Sequence, residues 1–198
     1  ARAGVELRCG VGVTALQGDG RVERVVLADG SVLPADLVVV GTGAVPSTGW
    51  LEGSGLVLSD GVVCDATLQA APGVWAAGDV ARWPNPPSGA LVRLEHWTSA
   101  AEQGTHAGRA AAGEDVGAFS TVPYAWSDVY GRKLQAVGHT GGDDVRVVGD
   151  ADRWVALYRG GDRLVGAFLV DLPGRTMKLR RLIASEGSWE QALELVAA

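Results

Sequence analysis

Two cysteines, one methionine and two lysines stand in a chain of 198 residues, and each scarcity narrows what the protein can be. Cys9 and Cys64 are far apart, belong to no C-x-x-C and have no Cys/His cluster beside them. That speaks against a redox dithiol and against a metal site, so no metal ligand is assigned. Free thiols fit a reducing, hence cytoplasmic, compartment. No apolar run approaches the roughly 20 residues of a membrane span and no signal peptide is recognisable, so no membrane partner is expected. With 17 Lys and Arg against 23 Asp and Glu the formal net charge is -6. A general nucleic-acid binder needs the opposite excess to neutralise phosphates. Met177 is the only methionine, so no initiator is visible, which initiator removal and truncation both explain.

What is present is a globular composition: 47% hydrophobic residues, 20% charged and seven Trp. Short strands joined by tight turns open the chain, at Val5 to Arg8 and Val22 to Leu27. Ala28-Asp29-Gly30-Ser31 reads as a hairpin turn leading into Val32-Leu33. Residues 36–40 (DLVVV) form a continuous apolar run ending in Gly41-Thr42-Gly43, the pattern of a central strand covered on both faces. Little before it supplies parallel neighbours, so its sheet lacks partners within this chain. A second apolar strand, residues 74–77, runs into Gly78-Asp79, and residues 84–89 are a Pro-rich loop.

A helix is predicted from about His96 to Ala112, with Ser99 and Glu102 at capping-box spacing and Gly113 as its stop. Gly104, Ala107, Gly108 and Ala111 recur on it at three to four positions, as if something packs closely there. Beyond Ala118 the pattern turns antiparallel, with strands near residues 135–138, 145–148, 153–158 and 163–170 and a hairpin turn at Gly160-Gly161-Asp162. Two short helices close the chain, about Thr176 to Ala184 and after Ser188, where Ser188 and Gln191 have capping-box spacing. This is a separate α+β domain.

The chemistry concentrates where the second apolar strand delivers Asp79 to its carboxyl end, after a glycine that lets a ligand approach the backbone. A carboxylate there can accept hydrogen bonds from sugar or sugar-alcohol hydroxyls. A lone Gly-Asp is only a turn. Its surroundings change that reading: DLVVVGTGAVP at 36–46, VWAAGDV at 74–80 and RLEHWTSAAEQG at 93–104 occur in the order and at the spacing of flavoprotein reductases. The chain resembles the FAD-dependent pyridine nucleotide-disulfide oxidoreductases. PYAWSDVYGRKLQAVG at 123–138 narrows the resemblance to the ferredoxin and rubredoxin reductase branch, which serves dioxygenase and P450 systems.

The resemblance implies an α/β fragment of two dinucleotide-binding, Rossmann-like domains followed by a small α+β reductase domain with an antiparallel sheet. Residues 1–46 would end the NAD(P)H-binding domain, 47–115 would be the C-terminal part of the FAD-binding domain, and 118–198 the reductase or dimerisation domain. Asp79 would hold the FAD ribityl chain, with the Gly78 and Val80 backbone close to it. Glu95, His96 and Trp97 would reach the flavin ring, with the following helix aimed at its pyrimidine edge, where a helix N-terminus suits negative charge. Trp126 would pack near the flavin, the alternative being an ordinary core tryptophan. Thr42 and Gly43 would lie where the nicotinamide domain meets the flavin, or form a plain strand-ending turn.

Such enzymes need two G-x-G-x-x-G/A fingerprints, each bridging a strand and a helix. The best match, Gly10-Val11-Gly12-Val13-Thr14-Ala15, opens no helical pattern. Both dinucleotide grips are therefore expected in a missing N-terminal half of roughly two hundred residues, with weak or no FAD binding by this chain alone. The implied activity carries electrons from NAD(P)H through FAD to a ferredoxin or rubredoxin-type iron–sulfur protein, no catalytic acid or base being required of this half, and a homodimer is allowed. The residues that would choose NADH or NADPH are not in view. Arg175, Lys178, Arg180 and Arg181, with Arg132 and Lys133, are docking candidates or simply a solvated face. Two alternatives are kept: a non-catalytic association module, and a related flavoprotein of the NADH oxidase or nitrite reductase type.

Overall fold

The computed structural model describes residues 4–197, which fall into two compact units divided between Ala44 and Val45.

The first unit is a three-stranded antiparallel meander: β1 (Val13–Gln17), β2 (Arg24–Leu27) and β3 (Val32–Pro34). The predicted hairpin turn joins β2 to β3, with the Asp29 carboxylate accepting from the Ser31 amide at 2.9 Å. No helix follows Gly10-Val11-Gly12; β1 does, as rejection of the dinucleotide fingerprint requires. Two expectations fail here. Residues 5–8 are not a strand, and residues 36–40 are neither strand nor buried: Leu37 and Val39 are 81% and 88% exposed. A run with no neighbouring strand to exchange hydrogen bonds with has nothing to hold it extended in a sheet. Leu27 is the one buried apolar side chain of this unit among the described residues.

The second unit opens with short pieces. β4 (Val62–Val63) pairs in parallel with β7 (Ala81–Asn85), which pairs antiparallel with β8 (Ala90–Arg93). β5 (Gln69–Ala71) and β6 (Val74–Trp75) form a two-stranded hairpin that leads into a 3-10 turn at Gly78–Val80. The strand expected over residues 74–77 is thus only two residues, Val74 and Trp75. The Pro-rich stretch is a strand end as much as a loop. Pro84 lies on β7 opposite Leu91, beyond the last residue paired with β4, so its missing N–H faces no partner strand.

α1 (Trp97–Ala111) runs across these pieces. Ser99 is not its cap: the N-cap is His96, whose side chain makes no capping bond, while Ser99 is buried inside the first turn. Of the small-residue face, Ala107 is buried, but a Cβ on Gly104 or Gly108 would meet open space. The core here gathers Val62, Cys64, Leu68, Trp83, Ala107 and Phe119, with Trp83 fully buried and its ring 5.6 Å from that of Phe119. Truncating such a tryptophan costs about 3–5 kcal/mol.

The C-terminal part is a five-stranded antiparallel sheet in the order β11-β12-β13-β10-β9. Its strands are β9 (Tyr124–Val129), β10 (Arg132–Gly138), β11 (Asp144–Gly149), β12 (Trp154–Gly160) and β13 (Arg163–Val170). α2 (Pro173–Ala184) and α3 (Trp189–Ala197) pack on it, burying Leu179, Trp189, Ala192 and Val196 against Val137, Val155, Leu157, Leu164, Ala167 and Leu169. The predicted cap of α3 is formed in both directions: Gln191 N–H to Ser188 Oγ at 3.2 Å and Ser188 N–H to Gln191 Oε1 at 2.9 Å. The antiparallel domain thus matches expectation in kind, with β9 as a strand beyond the four expected and β10 beginning three residues earlier. The short strands before it do not by themselves make a doubly wound sheet. No described helix is long and apolar enough to cross a membrane.

Candidate functional site

The turn at residues 78–80 starts from a glycine for a steric reason. Gly78 has φ +79°, a left-handed conformation that side chains with a Cβ rarely adopt. Its N–H donates to Gln103 Oε1 at 2.7 Å, and Gln103 Nε2 donates to Ser99 Oγ at 3.2 Å. Gln103 is fully buried, so α1 fixes the turn through a side chain that water cannot reach. The next carbonyl is held from the other side, because Arg93 Nη1 donates to Asp79 O at 3.1 Å. The Asp79 carboxylate itself is exposed and makes no hydrogen bond among the described residues.

Arg93 is the organiser of this corner. Besides the Asp79 carbonyl it donates to Glu95 Oε1 at 2.6 Å and to Asp60 Oδ1 at 3.1 Å, with its side chain 11% exposed. The hydrogen bond it donates to Glu95 makes the guanidinium still harder to deprotonate than usual, ahead of the attraction of Asp60. Gly61 must be a glycine beside it, since a Cβ there would sit 2.5 Å from the Val80 carbonyl oxygen and 3.0 Å from Arg93 Cδ.

Glu95, His96 and Trp97 lead from β8 into α1 and line a shallow cleft with Tyr124, Ala125 and Trp126. Trp97 meets Trp126 edge-on, centroids 6.5 Å apart at 76°, and Trp126 stacks on Tyr124 at 5.3 Å and 28°. The Tyr124 hydroxyl accepts from Gln135 Nε2 at 2.9 Å, and Gln135 Oε1 accepts from Thr176 Oγ1 at 2.9 Å, so the stack is anchored in the C-terminal core. Trp97 is 76% exposed and Trp126 44%, so neither is an ordinary core tryptophan. At His96, Nδ1 is buried with no hydrogen-bond partner, and burial lowers the imidazole pKa against the opposing pull of Asp79 and Glu95. α1 begins at this corner, and no side chain caps its first-turn amides.

Seven of the nine residues singled out from the sequence, Gly78, Asp79, Val80, Glu95, His96, Trp97 and Trp126, belong to the second unit; Thr42 and Gly43 belong to the first, where both are exposed. Arg93, Gln103 and Tyr124 were not singled out. The R-x-E spacing of Arg93 and Glu95, which places two side chains on one side of a strand, was the available signal for the first. The basic docking candidates are largely engaged within the chain. Arg175 donates to Val196 O, Arg132 pairs with Asp152 and Asp171, Lys133 with Asp128, and Arg180 with Glu102.

The sequence profile of the pyridine nucleotide-disulphide oxidoreductases matches residues 1–104, and that of the reductase C-terminal domain matches residues 124–194. Rhodocoxin reductase of Rhodococcus erythropolis is 36% identical over 191 residues, 92% of this chain and 44% of that protein. Human apoptosis-inducing factor 3 is 35% identical over 181 residues, 87% of this chain and 30% of that protein. The crystal structure of the covalent putidaredoxin reductase–putidaredoxin complex superposes with a TM-score of 0.88 at 29% identity, covering 93% of this chain and 46% of that one. The chain thus spans less than half the length of these relatives.

Proposed function

The chain belongs to the pyridine nucleotide-disulphide oxidoreductase family, and from that premise we propose that it is the flavin-facing C-terminal portion of a NAD(P)H:ferredoxin reductase. The observation that carries the proposal is the corner itself. A Gly78-Asp79 turn is pinned from both sides, its carboxylate is left exposed, and the helix N-terminus and two tryptophans stand beside it. Rhodocoxin reductase and putidaredoxin reductase, which this chain resembles along more than nine-tenths of its own length, support the same reading.

In this reading residues 1–46 close the NAD(P)H domain, 47–115 belong to the FAD domain and 118–198 are the reductase domain. The donor set fits a flavin. Asp79 would accept from ribityl hydroxyls, with the Gly78 and Val80 backbone alongside. Glu95, His96 and Trp97 would face the ring, and the first-turn amides of α1 would meet its electron-rich pyrimidine edge. Thr42 and Gly43 would lie at the nicotinamide side. Held there, FAD would supply two-electron exchange with NAD(P)H and one-electron exchange with an iron–sulfur protein. The chain's own residues position and exclude water: Arg93 and Gln103 fix the turn, and Trp97 and Trp126 cover the corner.

The pyrophosphate grips are assigned to a partner segment, since no strand–glycine–helix fingerprint is formed by the described residues. Absorption spectroscopy tests this directly. The chain alone is expected to retain no flavin. Mixed with a separately expressed N-terminal half of rhodocoxin reductase it should acquire flavin bands that NAD(P)H bleaches. Flavin bound tightly by the chain alone, or by neither sample, overturns the proposal.

A further inference from the structure

The segment that carries the backbone from α1 to the C-terminal sheet is fastened repeatedly over its last residues, from Phe119 to Tyr124. The Phe119 N–H donates to Ala66 O at 2.7 Å. Thr121 exchanges two bonds with the buried Asn85 side chain, at 3.0 and 3.2 Å. Gly138 N–H donates to Pro123 O at 2.9 Å, and Thr98 Oγ1 to Tyr124 O at 2.8 Å. Into the middle of this crossing reaches Arg180 from α2. Its Nε donates to Val122 O at 3.0 Å, and its Nη2 donates both to Glu102 Oε1 at 2.8 Å and to Thr121 Oγ1 at 3.2 Å. The Thr121 hydroxyl in turn donates to the other Glu102 oxygen at 2.6 Å, which completes the ring.

We propose that Arg180 is a positioning residue that sets Trp126 against Trp97, acting through Glu102 and Thr121. Both ends of the clasp are mechanically coupled to the two rings. Glu102 lies on α1, whose first residue is Trp97. Arg180 lies on α2, which packs on β10, and β10 places Gln135 directly opposite Trp126 of β9. The guanidinium suits the task because one rigid fork serves a carbonyl, a carboxylate and a hydroxyl together, which a lysine ammonium on a flexible stem does not reproduce. The ion pair is also largely sheltered, with 23% of the Arg180 side chain and 38% of the Glu102 side chain exposed, so screening by solvent is reduced. The value of the clasp to electron transfer rests on the flavin reading above; the geometry of the clasp does not.

The test uses the indole N–H signals in proton–nitrogen correlation spectra of the chain, assigned with Trp97→Phe and Trp126→Phe. Arg180→Gln and Arg180→Lys are each expected to move the Trp97 and Trp126 signals by more than a linewidth while leaving Trp154 and Trp189, in the sheet and in α3, in place. Glu102→Gln, a milder change that keeps the size of the side chain, should move the same two signals in the same direction. A lowered Tm with the Trp97 and Trp126 signals unmoved makes Arg180 a stability residue only and overturns the proposal, as does movement of all the indole signals together. The flavin reading fails separately. If the two indoles respond as stated while the chain takes up no flavin with the N-terminal half, the clasp stands and the function does not.

Discussion

At the scale of single residues, His96 carries the clearest consequence. Its imidazole is half buried, and burial disfavours the imidazolium, so the folded pKa lies below the ordinary value of about 6.5. The unfolded chain therefore takes up this proton at higher pH than the folded chain does. The stability associated with neutral His96 is complete above pH about 6.5 and is lost as the pH falls toward the folded pKa. Thermal unfolding followed from pH 7.5 down to 5 should show a steeper fall in Tm for the native chain than for His96→Gln; parallel curves would rule this out. His96 was legible from its motif, whereas its orphaned Nδ1 was not, because no pattern of residue types reveals which atom loses its water. Arg93 shows the same limit. An arginine two residues before a glutamate reads as exposed charge, and only the folded chain brings Asp60 and the Asp79 carbonyl to the same guanidinium. Cys9 and Cys64 divide in the same way, one exposed and one buried with its thiol pKa raised by burial.

At the scale of elements, α1 does more than its sequence suggests. Its predicted span is within a residue of the observed one at each end, but Ser99 and Glu102, read as a capping box, have other partners. Capping-box spacing fits any Ser followed by Glu or Gln three residues on, so it holds at α3 and misleads at α1, where Gln103 of the same helix takes the Ser99 hydroxyl and Thr121 and Arg180 take Glu102. Gln103 is the partner that matters for the turn. Gln103→Leu would leave the Gly78 N–H without its acceptor in a water-excluded site, an expected loss of about 1–3 kcal/mol. A lower urea midpoint with an unchanged m value is the measurement; no change in the midpoint would show that the turn finds another acceptor. The apolar run at residues 36–40 failed for the opposite reason. Its composition was that of a central strand, but a strand is stabilised by neighbours, and composition cannot supply them. The C-terminal strands were legible because their partners follow closely in sequence and their turns carry Gly and Asp.

At the scale of the whole molecule, burial is unevenly shared. Two hydrophobic clusters, around Trp83 and around Leu157, lie wholly in the second unit, while among the described residues Leu27 alone is buried in the first. Amide exchange should follow: β10, β12 and β13 are expected to exchange slowest, and β1 to β3 faster by several orders of magnitude, because local opening there exposes little apolar surface. Equal protection in both units would contradict the burial pattern. The division of labour among the strands was partly readable, since the antiparallel half announces itself by hairpins. The bonds that join α1 to the C-terminal sheet were not, because Asn85, Glu102, Thr121 and Arg180 are far apart in sequence and each is unremarkable alone. Those bonds bear on how such proteins diversify. A recombination event that exchanged everything after residue 113 would bring in a crossing segment and an Arg180 equivalent shaped for another protein's Asn85 and Glu102. Shuffling at this junction is therefore constrained as a lock is by its key: the tail and the two distant side chains that read it have to be inherited, or engineered, as one set.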